Sequence, residues 1–200
     1  MKHRTRTHGF TIIELIVTVG IFAMISAVLL VRNSKFDDEA LLQSAAYEVA
    51  LSVRQAQNYG INVQGQEGTF DKAYGVYFET ASTSYTLFYD LDENSEFSEN
   101  EFLEGYVLGR GYTIERICPF SDLETLCQDR SEDAVSVVFR RPDPEAIMTA
   151  QGGVVGDITS LGIELASPRG GRRFIIVRQT GQIGVINQET VEGGSGSEEL

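Results

Sequence analysis

The chain has 200 residues and a mass of 22.1 kDa, which suits one modest domain with an additional element and excludes a large multidomain enzyme. Its formal net charge is −13, so its surface as a whole does not attract nucleic acid or anionic lipid headgroups. His3 and His8 both precede Gly9, which leaves no imidazole in the rest of the chain for a catalytic triad or a histidine-based metal site.

The first part of the chain is typical of a membrane segment. Residues 1–9 are basic and polar, and residues 10–31 form an apolar run with a single charge, Glu14. At about 1.5 Å per residue, a helix of this length reaches roughly 33 Å and can cross the hydrocarbon core of a bilayer. The basic residues before it and the acidic Asp37–Glu39 after it predict a single pass, with the N terminus in the cytoplasm and the bulk of the chain outside.

Glu14 is unusual in this segment because a carboxylate inside an apolar helix is unfavourable in lipid. Two interpretations are open. Glu14 lies near the interface and stays hydrated, or it has a charged partner.

Residues 32–62 predict an amphipathic helix, since apolar side chains recur there at steps of three and four residues. This helix either begins anew at Asn33 or Ser34 or continues from the membrane segment, and the sequence leaves both possibilities open.

The remainder predicts a β-rich globular head over residues 63–189 and a flexible, Gly/Ser-rich tail over residues 190–200. Runs of aromatic and β-branched residues between turn signals predict strands at 74–80, 84–90, 105–117, 134–141, 160–166, 172–178 and 182–186. The first two are expected to form a hairpin. Pro142 and Pro144 break the pattern after the fourth strand.

The stretch GFTIIEL at residues 9–15, after a basic leader and before the apolar run, resembles the type III signal of type IV prepilins and type II secretion pseudopilins. The resemblance implies cleavage between Gly9 and Phe10 by a prepilin peptidase, followed by N-methylation of Phe10. It also implies that Glu14 directs assembly by pairing with the terminal ammonium group of a neighbouring subunit. Removal of the three basic leader residues would change the net charge from −13 to −16.

This resemblance implies an α+β, pilin-like fold, in which a long N-terminal helix with a membrane-spanning half and an amphipathic half packs on an antiparallel β-sheet head. It implies a structural subunit of a type IV pilus or a type II secretion-like filament. The implied partners are the prepilin peptidase, other pilin or pseudopilin subunits, an inner-membrane platform protein and an assembly ATPase. The implied location is the inner membrane and then a periplasmic or extracellular filament.

The C-terminal pattern RRFIIVRQTGQIGVI at residues 172–186 and the helix-to-strand layout are similar to those of the minor pseudopilin H and fimbrial FimT group. The alternative function is therefore a minor or tip subunit that binds DNA or a secreted substrate. Secretion, motility, adhesion and DNA uptake all use this architecture, so fold does not choose among them.

An acidic segment at residues 90–101 carries oxygen ligands at the spacing of an EF-hand calcium loop. The first, third, fifth, seventh and twelfth places, the seventh through its backbone carbonyl, are held by Asp90, Asp92, Asn94, Glu96 and Glu101. Ser95 replaces the glycine that makes the sharp turn in such loops, and the flanks read as strands. A weak calcium site and a solvated acidic connection both remain open. No cofactor is required, and calcium is the one ligand that the sequence suggests.

Two further clusters have two interpretations each. Cys118 and Cys127 are spaced for a short disulfide-closed loop outside the cytoplasm, or they are two buried thiols.

Arg169, Arg172 and Arg173 read as a phosphate-contacting patch, or as a hairpin flank paired with acidic side chains. The acidic net charge favours the hairpin flank, so nucleic acid is not an expected partner. The sequence has no nucleophile–base pair, P-loop or dinucleotide motif, and we expect no enzymatic activity.

Overall fold

A computed structural model describes residues 10–62, 72–120, 132–150, 153–154 and 159–187. The predicted leader at residues 1–9 and the predicted tail at residues 190–200 lie outside the described residues. The chain divides into two compact units, Met1–Glu39 and Ala40–Leu200. One helix, α1, covers Ile12–Ile61 and so includes both segments that the sequence predicts to be helical.

The start of α1 is fixed by Thr11. Its hydroxyl oxygen accepts a hydrogen bond from the backbone N–H of Glu14 at 3.3 Å, and its carbonyl oxygen accepts one from Leu15 at 3.1 Å. A threonine in this place satisfies backbone donors that the first turn of a helix leaves without partners.

The described residues of the second unit form ten β-strands in two antiparallel sheets. The strands are β1 (Ala73–Glu79), β2 (Ser84–Asp90), β3 (Phe102–Val107), β4 (Thr113–Phe120), β5 (Ala134–Phe139), β6 (Ala146–Ala150), β7 (Gly153–Val154), β8 (Ser160–Ala166), β9 (Arg172–Arg178) and β10 (Ile183–Asn187). The six-stranded sheet has the order β3-β2-β1-β5-β6-β7, and the four-stranded sheet has the order β10-β9-β8-β4. The predicted α+β fold class, with an N-terminal apolar helix and antiparallel sheets, is confirmed.

The C-terminal part of α1 lies in the core of this unit. Its buried stripe consists mostly of small side chains: Leu42, Ala45, Ala46, Val49, Ala50, Val53 and Ala56. They belong to one cluster with apolar residues of both sheets, including Val76 and Phe139 from the larger sheet and Ile163 and Ile175 from the smaller. Small residues let the helix backbone approach the strands closely, and burial of this shared cluster is the main favourable term for the unit.

Two glycines mark the closest approaches around α1. A Cβ atom on Gly60 would overlap the backbone carbonyl of Phe139, at the end of β5. Gly181 turns the β9–β10 hairpin with φ of 82°, and its carbonyl oxygen accepts a hydrogen bond from the side-chain amide of Gln57 at 2.9 Å. The same amide donates to the carbonyl oxygen of Pro144 at 3.1 Å, so Gln57 fastens the helix to two turns.

Most of the sequence-based strand boundaries lie within one or two residues of those in the structure, and two larger differences stand out. The range 105–117 is two strands, β3 and β4, separated by a 3-10 turn at Gly109–Gly111, where Arg110 has φ of 61°. The sequence patterns do not predict strands β6 and β7, which follow the break at Pro142 and Pro144. The structure pairs β6 with β5 from Val135↔Ala150 to Phe139↔Ala146, so tertiary pairing determines this strand.

Candidate functional site

The N-terminal part of α1 is apolar and uncovered. The stretch Ile12–Leu29 is long and apolar enough to cross a membrane, and none of it is buried within the protein. Phe10, the predicted first residue after cleavage, is 81% exposed and precedes the helix. Gly9, on the other side of the predicted cleavage site, lies outside the described residues.

Glu14 lies in the first turn of α1 and is exposed. A carboxylate is favourable at this end of a helix because the unpaired backbone N–H groups carry partial positive charge. Within the described residues, its side chain forms no ion pair. The hydroxyl group of Thr18, one turn further along, donates to the carbonyl of Leu15 at 2.9 Å and is therefore satisfied inside the helix. Within the exposed stretch Ile12–Leu29, which is mostly apolar, Glu14 is the one charged side chain.

The acidic loop, defined as Asp90–Glu101, connects β2 to β3 and places two carboxylates in buried positions. Asp90 is 0% exposed and Glu101 is 1% exposed. Oδ2 of Asp90 accepts hydrogen bonds from the backbone N–H of Ser95 and from the guanidinium of Arg140, both at 3.1 Å. Glu101 accepts from the backbone N–H of Leu91 at 2.7 Å and from that of Ser98 at 2.9 Å. The loop is thus folded around its first and last acidic residues.

The middle of the acidic loop is a series of tight turns. Oδ1 of Asp92 accepts from the backbone N–H of Asn94 at 3.2 Å, and Oδ1 of Asn94 accepts from that of Glu96 at 2.6 Å. Ser95 adopts φ of 61°, the left-handed conformation that glycine usually takes. Ser95 therefore makes the sharp turn for which EF-hand loops use glycine.

Three of the five predicted calcium ligands converge. Oxygen atoms of Asp90, Asp92 and Glu101 lie within 4.8 Å of one another. Asn94 contacts Asp92 through its side-chain amide at 3.0 Å, and Glu96 enters the network through its backbone N–H.

Arg140 is a site residue that sequence reasoning missed. It follows β5 and reaches Asp90 from 50 positions further along the chain, and it also donates to the carbonyl of Glu93 at 3.3 Å. The one available signal was an arginine directly after the fully buried strand Ala134–Phe139.

The three arginines that the sequence analysis grouped together, Arg169, Arg172 and Arg173, have different hydrogen-bond partners in the structure. Arg172, on β9, donates to the buried carboxylate of Glu164 at 3.1 Å and to Glu115 at 3.2 Å. Arg173 donates to the carbonyl of Arg172 at 2.8 Å, and the backbone N–H of Arg169 donates to the hydroxyl of Ser167 at 3.2 Å. Two acidic side chains thus already engage the Arg172 guanidinium.

Of the two cysteines predicted to pair, the structure describes only Cys118. Cys118 is fully buried in β4, whereas Cys127 lies outside the described residues. The disulfide between them stays a prediction.

The comparison with known families identifies the N-terminal segment. Residues 4–30 match the prokaryotic N-terminal methylation motif, which agrees with the type IV pilin-like signal predicted from residues 9–15. The motif and the apolar helix fit a membrane-anchored, pilin-like protein, and the motif implies processing by a prepilin peptidase. No curated protein and no solved structure matches the chain significantly.

Proposed function

We propose that this protein is a structural subunit of a type IV pilus or a type II secretion-like filament. The observation that carries the proposal is the coincidence of the methylation motif at residues 4–30 with an apolar, uncovered helix, Ile12–Leu29. The motif supplies a processing site, and the helix supplies a surface for packing against lipid before assembly and against other subunits afterwards. The proposal assigns no enzymatic activity.

Glu14 gives the proposal a physical mechanism for subunit register. Its carboxylate, in the first turn of an apolar helix, is unfavourable in lipid without a partner. Cleavage before Phe10 would create a new terminal ammonium group, which is equally unfavourable there. If the two charges of neighbouring subunits pair, one satisfied ion pair replaces two unpaired charges, and the pairing fixes the axial offset between subunits.

The finer assignment within this class is to a minor subunit of the pseudopilin H and FimT kind. Its support is the C-terminal pattern at residues 172–186, which forms the β9–β10 hairpin. For a DNA-binding tip subunit, no contact among the described head residues offers support, since Glu164 and Glu115 engage Arg172.

The test is co-expression of the full chain with an active prepilin peptidase, followed by intact-mass and N-terminal analysis. The wild type is expected to begin at methylated Phe10. Gly9→Ala is expected to keep its leader, because the resemblance implies that the peptidase recognises the glycine after which it cuts. A known prepilin expressed in the same cells controls for peptidase activity.

Two results would contradict the proposal. The first is wild-type protein that keeps Met1–Gly9 while the control prepilin is cleaved. The second is processing of Gly9→Ala as efficient as that of the wild type. Either result would favour an anchored head domain that does not enter a filament.

A further inference from the structure

We propose that the acidic loop binds one calcium ion through the carboxylates of Asp90, Asp92 and Glu101. The inference concerns the head alone and does not depend on whether the protein enters a filament. Four features of the loop support it: an unsatisfied buried oxygen, the spacing of the carboxylates, their charge, and the loop's link to the sheet.

The first observation is a buried oxygen atom with nothing to bind. Asp90 is 0% exposed, and the Oδ2 atom of its carboxylate accepts hydrogen bonds from Ser95 and Arg140. Across the described ranges, Oδ1 of Asp90 has no hydrogen-bond partner. An unsatisfied polar atom in a buried position is destabilising, and more so when it belongs to a charged group. A cation bound to this oxygen would remove the penalty.

The second observation is the distance between the carboxylates. Calcium binds oxygen atoms at about 2.3–2.6 Å, so ligands on opposite sides of one ion lie roughly 5 Å apart. Oxygen atoms of Asp90, Asp92 and Glu101 all lie within 4.8 Å of one another, so a single ion can contact all three. Magnesium requires shorter bonds of about 2.0–2.1 Å and a near-ideal octahedron, which oxygen atoms spaced up to 4.8 Å apart supply less readily.

The third observation is the local charge. Three carboxylates converge, and among the described residues one cation, Arg140, forms an ion pair with them. The remaining charge of about −2 matches that of a divalent ion. Because two of the carboxylates are buried, water screens their mutual repulsion poorly, and a bound ion would relieve it.

The loop connects this site to the packing of the six-stranded sheet. Phe97, within the loop, packs on Phe88 with a ring-centroid distance of 5.4 Å and on Tyr77 at 4.9 Å. Its backbone N–H donates to the hydroxyl of Ser136 on β5 at 3.1 Å. Calcium would therefore hold Phe97 over a satellite apolar cluster formed by Ala73, Phe88 and Val138. We expect calcium to raise the thermal stability of the head as well as to bind.

The test is titration of the full chain, purified in detergent and stripped of metal, with CaCl2 and separately with MgCl2. Isothermal titration calorimetry is expected to show calcium binding with a Kd of about 10⁻⁴–10⁻³ M, the range typical of extracellular calcium modules. Calcium is also expected to raise the midpoint of thermal unfolding, and magnesium to do so much less. No heat and no shift at about 10 mM CaCl2, well above that range, would overturn the proposal.

Two variants locate the site. Asp92 and Glu99 are both exposed carboxylates of the same loop, but only Asp92 belongs to the converging set. Asp92→Ala is expected to weaken calcium binding at least about tenfold, whereas Glu99→Ala should bind like the wild type. Equal affinity in Asp92→Ala and the wild type would overturn the assignment, as would equal losses in both variants.

A third variant tests the buried ligand. Asp90→Asn keeps the side-chain volume and removes the negative charge, and it is expected to abolish the calcium-dependent rise in the unfolding midpoint. Its far-UV circular dichroism without calcium establishes that it is folded. If folded Asp90→Asn still gains the wild-type stabilisation from calcium, the proposed role of Asp90 is wrong.

Discussion

Glu164, on the central strand β8, is completely buried, yet its carboxylate holds Arg172 of the neighbouring strand β9 at 3.1 Å. The other oxygen of Glu164 accepts from Arg116 of β4 at 2.6 Å. One buried carboxylate thus ties together three strands of the four-stranded sheet, on the face opposite to the residues that cover α1. The basic cluster seen in the sequence is therefore partly a structural element of the sheet.

Replacing the buried Glu164 should destabilise the head far more than replacing Glu115, the partly exposed carboxylate that also pairs with Arg172. Glu164→Gln leaves two arginines without their shared buried carboxylate, and we expect a loss of about 2–3 kcal/mol in the free energy of unfolding, below the usual range because both arginines are partly exposed. Glu115→Gln removes an ion pair in which both side chains are partly exposed, so the expected loss is below about 1 kcal/mol. Urea denaturation followed by far-UV circular dichroism measures both. Equal losses would show that burial of Glu164 is not decisive.

Glu14→Gln should separate processing from assembly. The variant keeps the shape of the side chain but has no charge to pair with a neighbouring terminal ammonium group. We expect normal membrane insertion and leader removal but strongly reduced recovery in filaments sheared from cells, measured by immunoblotting. Thr18→Ala is the control, because the Thr18 hydroxyl is already satisfied within its own helix. Normal filament yield from Glu14→Gln would exclude charge pairing as the source of register.

Substitution of alanine for each of the two glycines of α1, Gly20 and Gly60, should have different effects on stability. Alanine favours a helix over glycine by about 1 kcal/mol, so Gly20→Ala, with open space around it, should be neutral or stabilising. At Gly60 the added methyl group would overlap the Phe139 carbonyl, and we expect a net loss of about 1–3 kcal/mol. Urea denaturation compares the two variants. If Gly60→Ala is as stable as the wild type, the helix does not approach β5 as closely as described.

The head should lose stability in strongly alkaline solution, partly because of Tyr106. Burial, together with the hydrogen bond to Glu104 at 2.8 Å and its negative charge, raises the pKa of Tyr106 from 10.0 to about 12. As the pH rises, the phenol of Tyr106 therefore loses its proton at a lower pH in the unfolded chain than in the folded one. The contribution of Tyr106 to stability is complete below about pH 10 and is lost progressively towards pH 12.

Spectrophotometric titration of the tyrosines tests the role of Glu104. In Glu104→Gln the pKa of Tyr106 should fall but stay above its ordinary value, because burial is the larger cause. Tyr106→Phe should remove one late-titrating phenol and reduce the dependence of stability on pH. Burial also raises the pKa of Tyr74 and Tyr85, so some alkaline dependence should remain. An unchanged titration in both variants would contradict this account.

Sequence patterns predict the elements whose signals are local. The first hairpin is predicted because aromatic and β-branched residues flank a short polar turn, and the structure pairs β1 with β2 from Ala73↔Asp90 to Phe78↔Tyr85. The calcium-like spacing of the acidic loop is also local, and in the structure oxygen atoms of Asp90, Asp92 and Glu101 lie within 4.8 Å of one another. In each case the information lies within a dozen or so neighbouring residues.

Features that depend on distant partners could not be predicted in this way. Strand β6 contains Ala146 and Met148, which do not favour strands, and its conformation comes from pairing with β5. Arg140 and Asp90 are 50 positions apart, and nothing in the sequence connects them. The burial of Glu164 depends on β4 and β9 lying on either side of β8, which is a property of the sheet order.

The position of α1 in the core determines when the head can fold during synthesis. The apolar stripe from Leu42 to Ala56 is translated before any strand, but the residues that pack in the same cluster include Ile175 and Val177 of β9. The ribosome must therefore release nearly the whole chain before the helix is enclosed, and until then its apolar stripe is only partly covered on the side of the smaller sheet. We expect this head to complete its fold in one late cooperative step, after nearly all of its residues have been synthesised.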